Sequence, residues 1–438
     1  MSSAEGQRAN RDPWLWGALV VGLVLRALPW VIWPQTGCLG DECIYLSLAD
    51  AMAKGQGMVQ STTLPFVWAP GYVAFLALHQ ILLGQAFYAL GTQIIGFGGT
   101  QLLAYLLARD HLDLRAGRIA AWLYGVSPTL AFFAGHMWTE SLYLTLLLAI
   151  LFALGKARER GVAWAVVPGV LIALCVLTRG VATYLIPIFL IAYVARRQWK
   201  HATVTALAAM LCIAPYSLYA SKKFGGPMLV DTTLGQNVWL SNNDFRLVTF
   251  DYGVGQGQAE YRRLLESGRP MCPTEMEPVP WGACQKATGM AWIRDNPDLF
   301  VARIPERLAY LFNPNSFVTR HARAVYRPPK PIADAWCIAV ILFSLATVWG
   351  GTAGAFSRGR TWLFPVSLGI VLYHCAVVAV LFGSTRFRVP LDGLWLIWLA
   401  GFLAAPKTTL RGWRLAAVVA ILALAIPLTL WYLPVGLK

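Results

Sequence analysis

PWLWGALVVGLVLRALPWVIWPQTGCLGDE, residues 13–42, joins an apolar run to a pair of acids. A run of about 20 apolar residues is long enough to cross a bilayer as a helix. Carboxylates beside a bilayer are costly unless something needs them. The stretch therefore reads as a membrane span that ends in a chemically equipped loop, with Asp41 and Glu42 as its first candidates.

The composition agrees. Of 438 residues, 57% are hydrophobic and 13% charged, with a mean hydropathy of +0.56. A soluble domain carries roughly a quarter charged residues. The 19 tryptophans suit helix ends at membrane interfaces. The net charge of +15 does not point to nucleic acid, because many basic residues lie in short loops between apolar runs. No cleavable signal peptide is expected: the first span starts near Trp14 and lacks a small-residue cleavage pattern.

About eleven spans follow from length and hydropathy. They cover roughly 13–34, 86–108, 118–137, 140–156, 162–178, 181–195, 202–220, 332–352, 362–383, 388–405 and 413–433. The predicted fold class is thus an all-α polytopic membrane protein. Basic clusters such as Arg109/Arg115/Arg118, Lys156/Arg158/Arg160, Arg196/Arg197/Lys200 and Lys407/Arg411/Arg414 fall in alternate loops. With Arg8 and Arg11 they place the N-terminus inside, and an odd number of spans then places the C-terminus outside. The apolar stretch 64–84 would break this parity if it crossed. It holds Pro65, Pro70, His79 and Gln80, and reads as an embedded or re-entrant hairpin on the outer side. Three regions result: a transmembrane module over 1–220 with its first outer loop at 35–85, an outer loop region over 221–331, and a C-terminal transmembrane module over 332–438.

Within the first outer loop, Tyr45, Leu48, Ala49 and Met52 recur at helical spacing, and Lys54-Gly55 supplies a stop. In the long loop, Gly, Pro, Asn and Asp near 225–257 predict turns and loops. Residues 287–312 gain helical character, with Asn296-Pro297 opening a helix. Cys272 and Cys284 suit a disulfide in an oxidising compartment; Cys38 and Cys43 could also pair, more tightly. Cys175, Cys212, Cys337 and Cys375 lie in apolar runs and read as packing residues.

The outer ends of the spans carry the candidate chemistry. Asp41 can be a cap for a helix starting at Ile44, with Glu42 favoured by its dipole, and a capping geometry also fixes a carboxylate in place. Glu140 opens the fourth span and is either a first-turn acid or a second functional one. Arg386 and Arg388 lie in a very short outer loop, where the positive-inside bias disfavours them; a guanidinium fork there suits phosphate oxygens, against the alternative of snorkelling. Arg179 is a weaker candidate of the same kind. Residues 234–243, LGQNVWLSNN, gather amides beside a tryptophan, which suits sugar hydroxyls and equally suits loop structure. No P-loop, Rossmann glycine fingerprint or HExxH motif is present. Acids facing arginines suit attack of a hydroxyl on a carbon whose leaving group is a phosphate: a carboxylate takes the proton and the arginines stabilise the departing charge.

These residues resemble a known family. Gly40-Asp41-Glu42 with Tyr45, followed by Ala69-Pro70-Gly71-Tyr72, is similar to the first outer loop of the GT-C membrane glycosyltransferases, in particular the bacterial relatives of dolichyl-phosphate-mannose protein mannosyltransferases and aminoarabinose transferases. Thr139-Glu140 resembles the second acidic position. Leu234 to Trp239 with Ser241-Asn242 resembles the loop after the seventh span, and Arg386-Phe387-Arg388-Val389-Pro390 the entry to a late span. The matches run in order from residue 13 to about 405. The resemblance implies a GT-C-like fold, a polyprenyl-phosphate-linked sugar donor, an acceptor reached from the outer face, and inversion at the anomeric carbon. It assigns Asp41 as base with Glu42 and Glu140 as further catalytic acids. Arg386, Arg388 and Arg179 are assigned to the donor phosphate, and Tyr45, Tyr72, Asn237, Trp239 and Asn242 to substrate contact. It departs at Ala69, where aminoarabinose transferases have a lysine, and in having no large soluble domain after the last span.

The expected partners are the lipid-linked donor, a glycolipid or cell-envelope glycan acceptor (with protein as a further class) and membrane lipids. No cofactor or metal is expected to be required, although metal use varies across the family. The expected location is the bacterial inner membrane, with a cytoplasmic N-terminus and a periplasmic C-terminus. An oligosaccharide polymerase or ligase is the competing enzyme class and would turn on His321 with Arg320 and Arg323. A lipid-linked sugar transporter or flippase is the non-enzyme alternative; it would place charges in mid-span and repeat its halves, and the span centres here are nearly free of charge.

Overall fold

The computed structural model describes residues 12–32, 40–59, 64–194, 196–244, 272–314, 317–321, 328–405 and 414–421, and singly Cys38, Arg323, Gly412 and Ala423. All regular structure among the described residues is helical, as expected of a chain whose backbone must satisfy its own hydrogen bonds in lipid. Among the described residues, five helices are long and apolar enough to cross a membrane: Thr139–Arg160, Trp199–Lys223, Lys330–Arg358, Leu363–Val380 and Thr385–Ala404. Shorter apolar helices at Pro13–Leu28, Val162–Thr178 and Gly180–Val194 accompany them. The last expected span, 413–433, lies largely outside the described residues.

Helix α1 (Pro13–Ile32) starts at a proline, and the Asp12 carboxylate accepts from the Trp14 N–H at 3.2 Å. Arg26, inside this first span, is an exception to span centres that are otherwise nearly free of charge. It is 1% exposed and has a carbonyl environment instead of a carboxylate: it donates to Gly22 O at 2.7 Å, Gly125 O at 3.1 Å and Tyr124 O at 2.5 Å, with its guanidinium 4.1 Å from the Phe97 ring centre. Tyr124 and Gly125 end helix α5 (Leu114–Val126), where carbonyls lack partners because Ser127-Pro128 starts the next helix. Arg26 thus closes the break that splits the expected 118–137 span in two.

The short helix expected after the first acids is α2 (Asp41–Ala53), which stops at Lys54 as read. Residues 70–83 form α3 (Pro70–Leu83), begun by a proline and ended at Gly84 with φ 84°. The chain then bends by 113° into the segment Ala86–His111, whose main helix is α4 (Ala89–His111). The stretch 64–84 therefore does not run on into the following span. One face of α3, with Tyr72, Val73, Leu76 and Ala77, is buried; Leu78, Ile81, Leu82 and Leu83 are exposed.

After α6 (Pro128–Ala134), helix α7 (Thr139–Arg160) runs through the bundle. Next come α8 (Val166–Thr178), α9 (Ile186–Val194) and α10 (Trp199–Lys223). The long loop contains α11 (Thr233–Ser241), α12 (Pro278–Asp295) and α13 (Pro297–Phe312), the last opening at Asn296-Pro297 as expected. Helix α11 corrects the expectation of turns alone over 225–257. Its apolar residues Val238 and Trp239 are buried, and α11 packs on α12 with glycines at the crossing: a Cβ on Gly289 would lie 2.9 Å from Val238. Residues 245–271 lie outside the described part. Cys38–Cys43 and Cys272–Cys284 are both disulfides.

The chain ends its described bundle with α14 (Phe317–His321), α15 (Lys330–Leu345), α16 (Gly351–Arg358), α17 (Leu363–Val380) and α18 (Val389–Ala404). Nearly every residue of α18 is buried, which is why that helix is apolar all round. Helix α7 is also mostly enclosed, whereas α10 turns most of its surface outward. The two enclosed helices both begin at the same end of the bundle, beside the start of α2. That end carries the site.

Candidate active site

The four charged candidates that meet here each sit where a helix starts or stops. Asp41 is the first residue of α2. The cap position belongs to Gly40, whose φ of 57° and ψ of −119° let the chain turn sharply into the helix, and no side chain caps it. The Asp41 carboxylate is therefore not used as a cap. It accepts instead from Arg386 Nη1 at 2.6 Å. Glu140, in the first turn of α7, accepts through Oε1 from Arg386 Nε and through Oε2 from Arg386 Nη2 at 3.3 Å. Arg179, at the end of α8, donates from Nη1 to Glu140 Oε1 at 2.8 Å. Arg386 lies on a tight turn, Thr385–Arg388, capped by Ser384 Oγ, and its guanidinium is 5.1 Å from the Trp138 ring centre.

The four charges form a graded stack. The Glu140 side chain is wholly buried, those of Arg386 and Arg179 are 15% and 18% exposed, and that of Asp41 is 33% exposed. Formal charges of two acids and two arginines cancel, which makes burial of the floor tolerable. Arg386 uses three of its five N–H bonds in the cluster, so donors remain for an anion. Asp41, at the rim, has a carboxylate in reach of solvent. Below it the Tyr45 hydroxyl has its pKa pushed up by burial and by the Asp41 carboxylate, so it stays protonated.

Other candidates are placed elsewhere. Glu42 is fully buried, and its Oε1 accepts from the Met137 N–H at 2.8 Å, pinning α2 to the turn before Glu140. Arg388 points back into the bundle: it is 1% exposed, pairs with Asp392 at 3.0 Å, and donates to Asn313 O at 3.1 Å and Ser344 Oγ at 3.0 Å. Adjacent even-numbered positions on a tight helical turn cannot share a direction, so only Arg386 meets the acids. Tyr45 packs against Trp68 and Tyr72, with ring centres 5.2 and 5.3 Å away, and the Tyr72 hydroxyl donates to Gln93 Oε1 at 3.1 Å. Asn242 joins three elements: its Nδ2 donates to Val238 O at 2.9 Å and Val380 O at 3.0 Å, and its Oδ1 accepts from Arg307 Nη2 at 3.1 Å. Trp239 is buried, and Asn237 accepts through its backbone carbonyl from Ser241 Oγ at 2.7 Å. Asn242 thereby satisfies carbonyls at a helix end buried between two others.

Asp231 was not singled out from the sequence. Its carboxylate accepts from the Gly180 N–H, and from Thr233 N at 3.2 Å and Thr233 Oγ1 at 3.0 Å. A Cβ on Gly180 would lie 2.0 Å from Asp231 Oδ2, so glycine beside Arg179 is what allows this approach. Thr232 and Val67 exchange bonds of 2.9 and 3.1 Å, which ties the Asp231 segment to the first loop. The Arg179-Gly180 dipeptide is the only trace of this arrangement in the sequence, and nothing there names its distant partner. Among the described residues, no group of three or more His, Cys, Asp or Glu is placed to hold a metal ion.

No family model matches this chain, and no curated protein matches it. Among solved structures it is similar to the oligosaccharyltransferase AglB from Archaeoglobus fulgidus in complex with an inhibitory peptide and a dolichol-phosphate. That match has a TM-score of 0.51 at 16% identity, over 95% of this chain and 55% of that one. The same oligosaccharyltransferase tethered with an acceptor peptide gives a TM-score of 0.53 at 14% identity, over 97% and 55%. ArnT from Cupriavidus metallidurans bound to undecaprenyl phosphate gives 0.43 at 12% identity, over 90% and 77%. The chain spans about half the length of the oligosaccharyltransferase structures it matches. It is a polytopic helical membrane protein, and its fold is similar to that of the oligosaccharyltransferase structures over the part of them that it matches.

Proposed function

We propose that this chain is an inverting glycosyltransferase that moves a sugar from a polyprenyl-phosphate-linked donor to a hydroxyl of a glycolipid or cell-envelope glycan. The observation that carries this reading is the meeting of Asp41, Glu140, Arg179 and Arg386 at one end of the bundle, with Asp41 at the rim and both arginines beneath it. In the reaction the acceptor oxygen attacks the anomeric carbon from the face opposite the phosphate. A new C–O bond forms, the bond from carbon to phosphate oxygen breaks with its electron pair going to the phosphate, and the acceptor proton passes to the Asp41 carboxylate. Arg386 and Arg179 neutralise the departing phosphate. Glu140 holds both guanidinium groups in place before the donor arrives, and Glu42 holds the backbone on which Glu140 is mounted.

The alternation of basic loops supports a reading in which the reactive end faces the periplasm from a bacterial inner membrane, with a cytoplasmic N-terminus and a periplasmic C-terminus. The polymerase or ligase reading gains no support at its own residues. His321 is buried in a ring stack with Phe317, and Arg323 pairs with Asp334 at 3.4 Å.

The test is retention of undecaprenyl phosphate by the purified chain in native mass spectrometry, with the neutral polyprenol as control. The expected result is selective retention of the phosphate by wild type and its loss in Arg386→Ala. Equal retention of phosphate and alcohol, unchanged by the substitution, would overturn the phosphate site. Translocation of a lipid-linked sugar across a proteoliposome membrane without covalent change would overturn the transferase reading.

A further inference from the structure

Asp41 lies inside a covalent loop. Cys38 and Cys43 are bridged, and the five-residue separation between them encloses Gly40, Asp41 and Glu42. The start of α2 otherwise has little to hold it. Its cap residue is a glycine at positive φ, which supplies no side-chain cap, and the Cys43 N–H turns back to Gly40 O at 3.1 Å. A helix end of this kind frays, because its first N–H groups have no partners inside the helix. Asp41 is the first helical residue, so fraying would move the carboxylate directly. Beside the ion pair of Asp41 with Arg386, two anchors oppose this. One is Glu42, held to the Met137 N–H. The other is the bridge from Cys43, in the first turn, back to Cys38 on the entering chain.

We propose that Cys38 and Cys43 are positioning residues: their disulfide holds the turn that presents Asp41, so that transfer depends on the redox state of this pair. The inference rests on the reading of Asp41 as the base. Cys38 is exposed and open to a soluble reductant, whereas the second bridge, Cys272–Cys284, packs with Trp281 of the long loop and Phe66 of the first, with Cys272 buried. Reduction by a dithiol such as dithiothreitol transfers two electrons and two protons to the bridge. The S–S bond opens to two thiols and the dithiol closes to its cyclic disulfide. The Asp41 turn then keeps only the Glu42 anchor and the ion pair to Arg386.

The experiment uses the full chain in detergent, oxidised and reduced, with two readouts. Hydrogen exchange of the peptide beginning at Asp41 is expected to speed up on reduction in the first turn of α2 alone, with the rest of the bundle unchanged. Sugar transfer is expected to lose roughly 10- to 100-fold in kcat, with the donor KM nearly unchanged because the arginines stay in place. Re-oxidation restores both readouts. A Cys38→Ser/Cys43→Ser variant is expected to behave as the reduced protein and to ignore reductant. A Cys272→Ser/Cys284→Ser variant is expected to keep the response, which assigns the response to the first bridge. Unchanged exchange in the first turn on reduction overturns the positioning role, and so does altered exchange with unaltered kcat. A wild-type chain that transfers no sugar from any polyprenyl-phosphate donor overturns the transferase reading instead, and the exchange measurement still decides whether the bridge holds the turn.

Discussion

Arg386 donates to both oxygens of Glu140 across a separation of 246 positions in the chain. The acid opens one enclosed helix and the arginine precedes the other, so the pair fixes the spacing of α7 and α18 at the end where chemistry is proposed. Glu140 is fully buried and also accepts from Arg179, so among the described residues it is the acid hydrogen-bonded to both guanidinium groups.

Removing that shared charge takes the paired carboxylate from Arg179 and leaves Arg386 with Asp41 alone. Glu140→Gln is expected to destabilise the fold by about 3 kcal/mol, the usual scale for breaking a buried pair from one side. Thermal unfolding of the purified variant in detergent checks this. An unfolding midpoint equal to wild type would mean that the arginines do not depend on Glu140.

Asp41 can be tested without that confusion, because Arg386 keeps Glu140 when Asp41 is neutralised. Asp41→Asn is expected to lose about 10²- to 10⁴-fold in kcat while the donor KM and the unfolding midpoint stay near wild type. Full transfer activity in this variant would remove Asp41 from the mechanism.

A lysine at position 386 keeps the charge and loses the fork. It cannot reach Asp41 and both oxygens of Glu140 at once. Arg386→Lys is therefore expected to fall by about 10²- to 10³-fold in kcat, close to Arg386→Ala. Near-normal rates with lysine would mean that charge alone suffices.

Gly180→Ala probes the segment that carries Arg179. The added Cβ would fall on the Asp231 carboxylate, so that carboxylate must leave the Gly180 N–H or the backbone at 179–181 must move. The expected cost is about 1–3 kcal/mol of stability together with a raised donor KM. Gly180→Ala combined with Asp231→Gly should recover part of the midpoint; no recovery would mean that the clash lies elsewhere.

Arg388 and Asp392 form a buried pair behind the site. Arg388→Met alone is expected to cost about 3–5 kcal/mol, and Arg388→Met with Asp392→Leu much less, since the second change removes the stranded acid. Equal losses in the single and double variants would show that the other contacts of Arg388, to Asn313 and Ser344, matter more than the pair.

The sequence by itself determined the class and much of the organisation. Apolar run lengths specified a helical membrane protein, the periodicity of Tyr45, Leu48, Ala49 and Met52 specified α2, and Asn296-Pro297 marked the start of α13. These features are local: hydropathy and periodicity act over the residues that carry them. The sequence also singled out Asp41, Glu140, Arg179 and Arg386, because charge at the ends of apolar spans is costly without a use. It could not separate Arg386 from Arg388, or Asp41 from Glu42. One member of each doublet faces the shared cluster and the other is buried in the bundle, and that choice depends on the direction of each side chain at a turn whose neighbours come from distant segments. Nor could it find Asp231, whose role exists only because Gly180 lets a carboxylate from 51 positions later approach the backbone beside Arg179. The helix at Thr233–Ser241 was hidden for the same reason: amides and glycine there read as loop residues until packing against α12 supplies the partners that make a short helix stable.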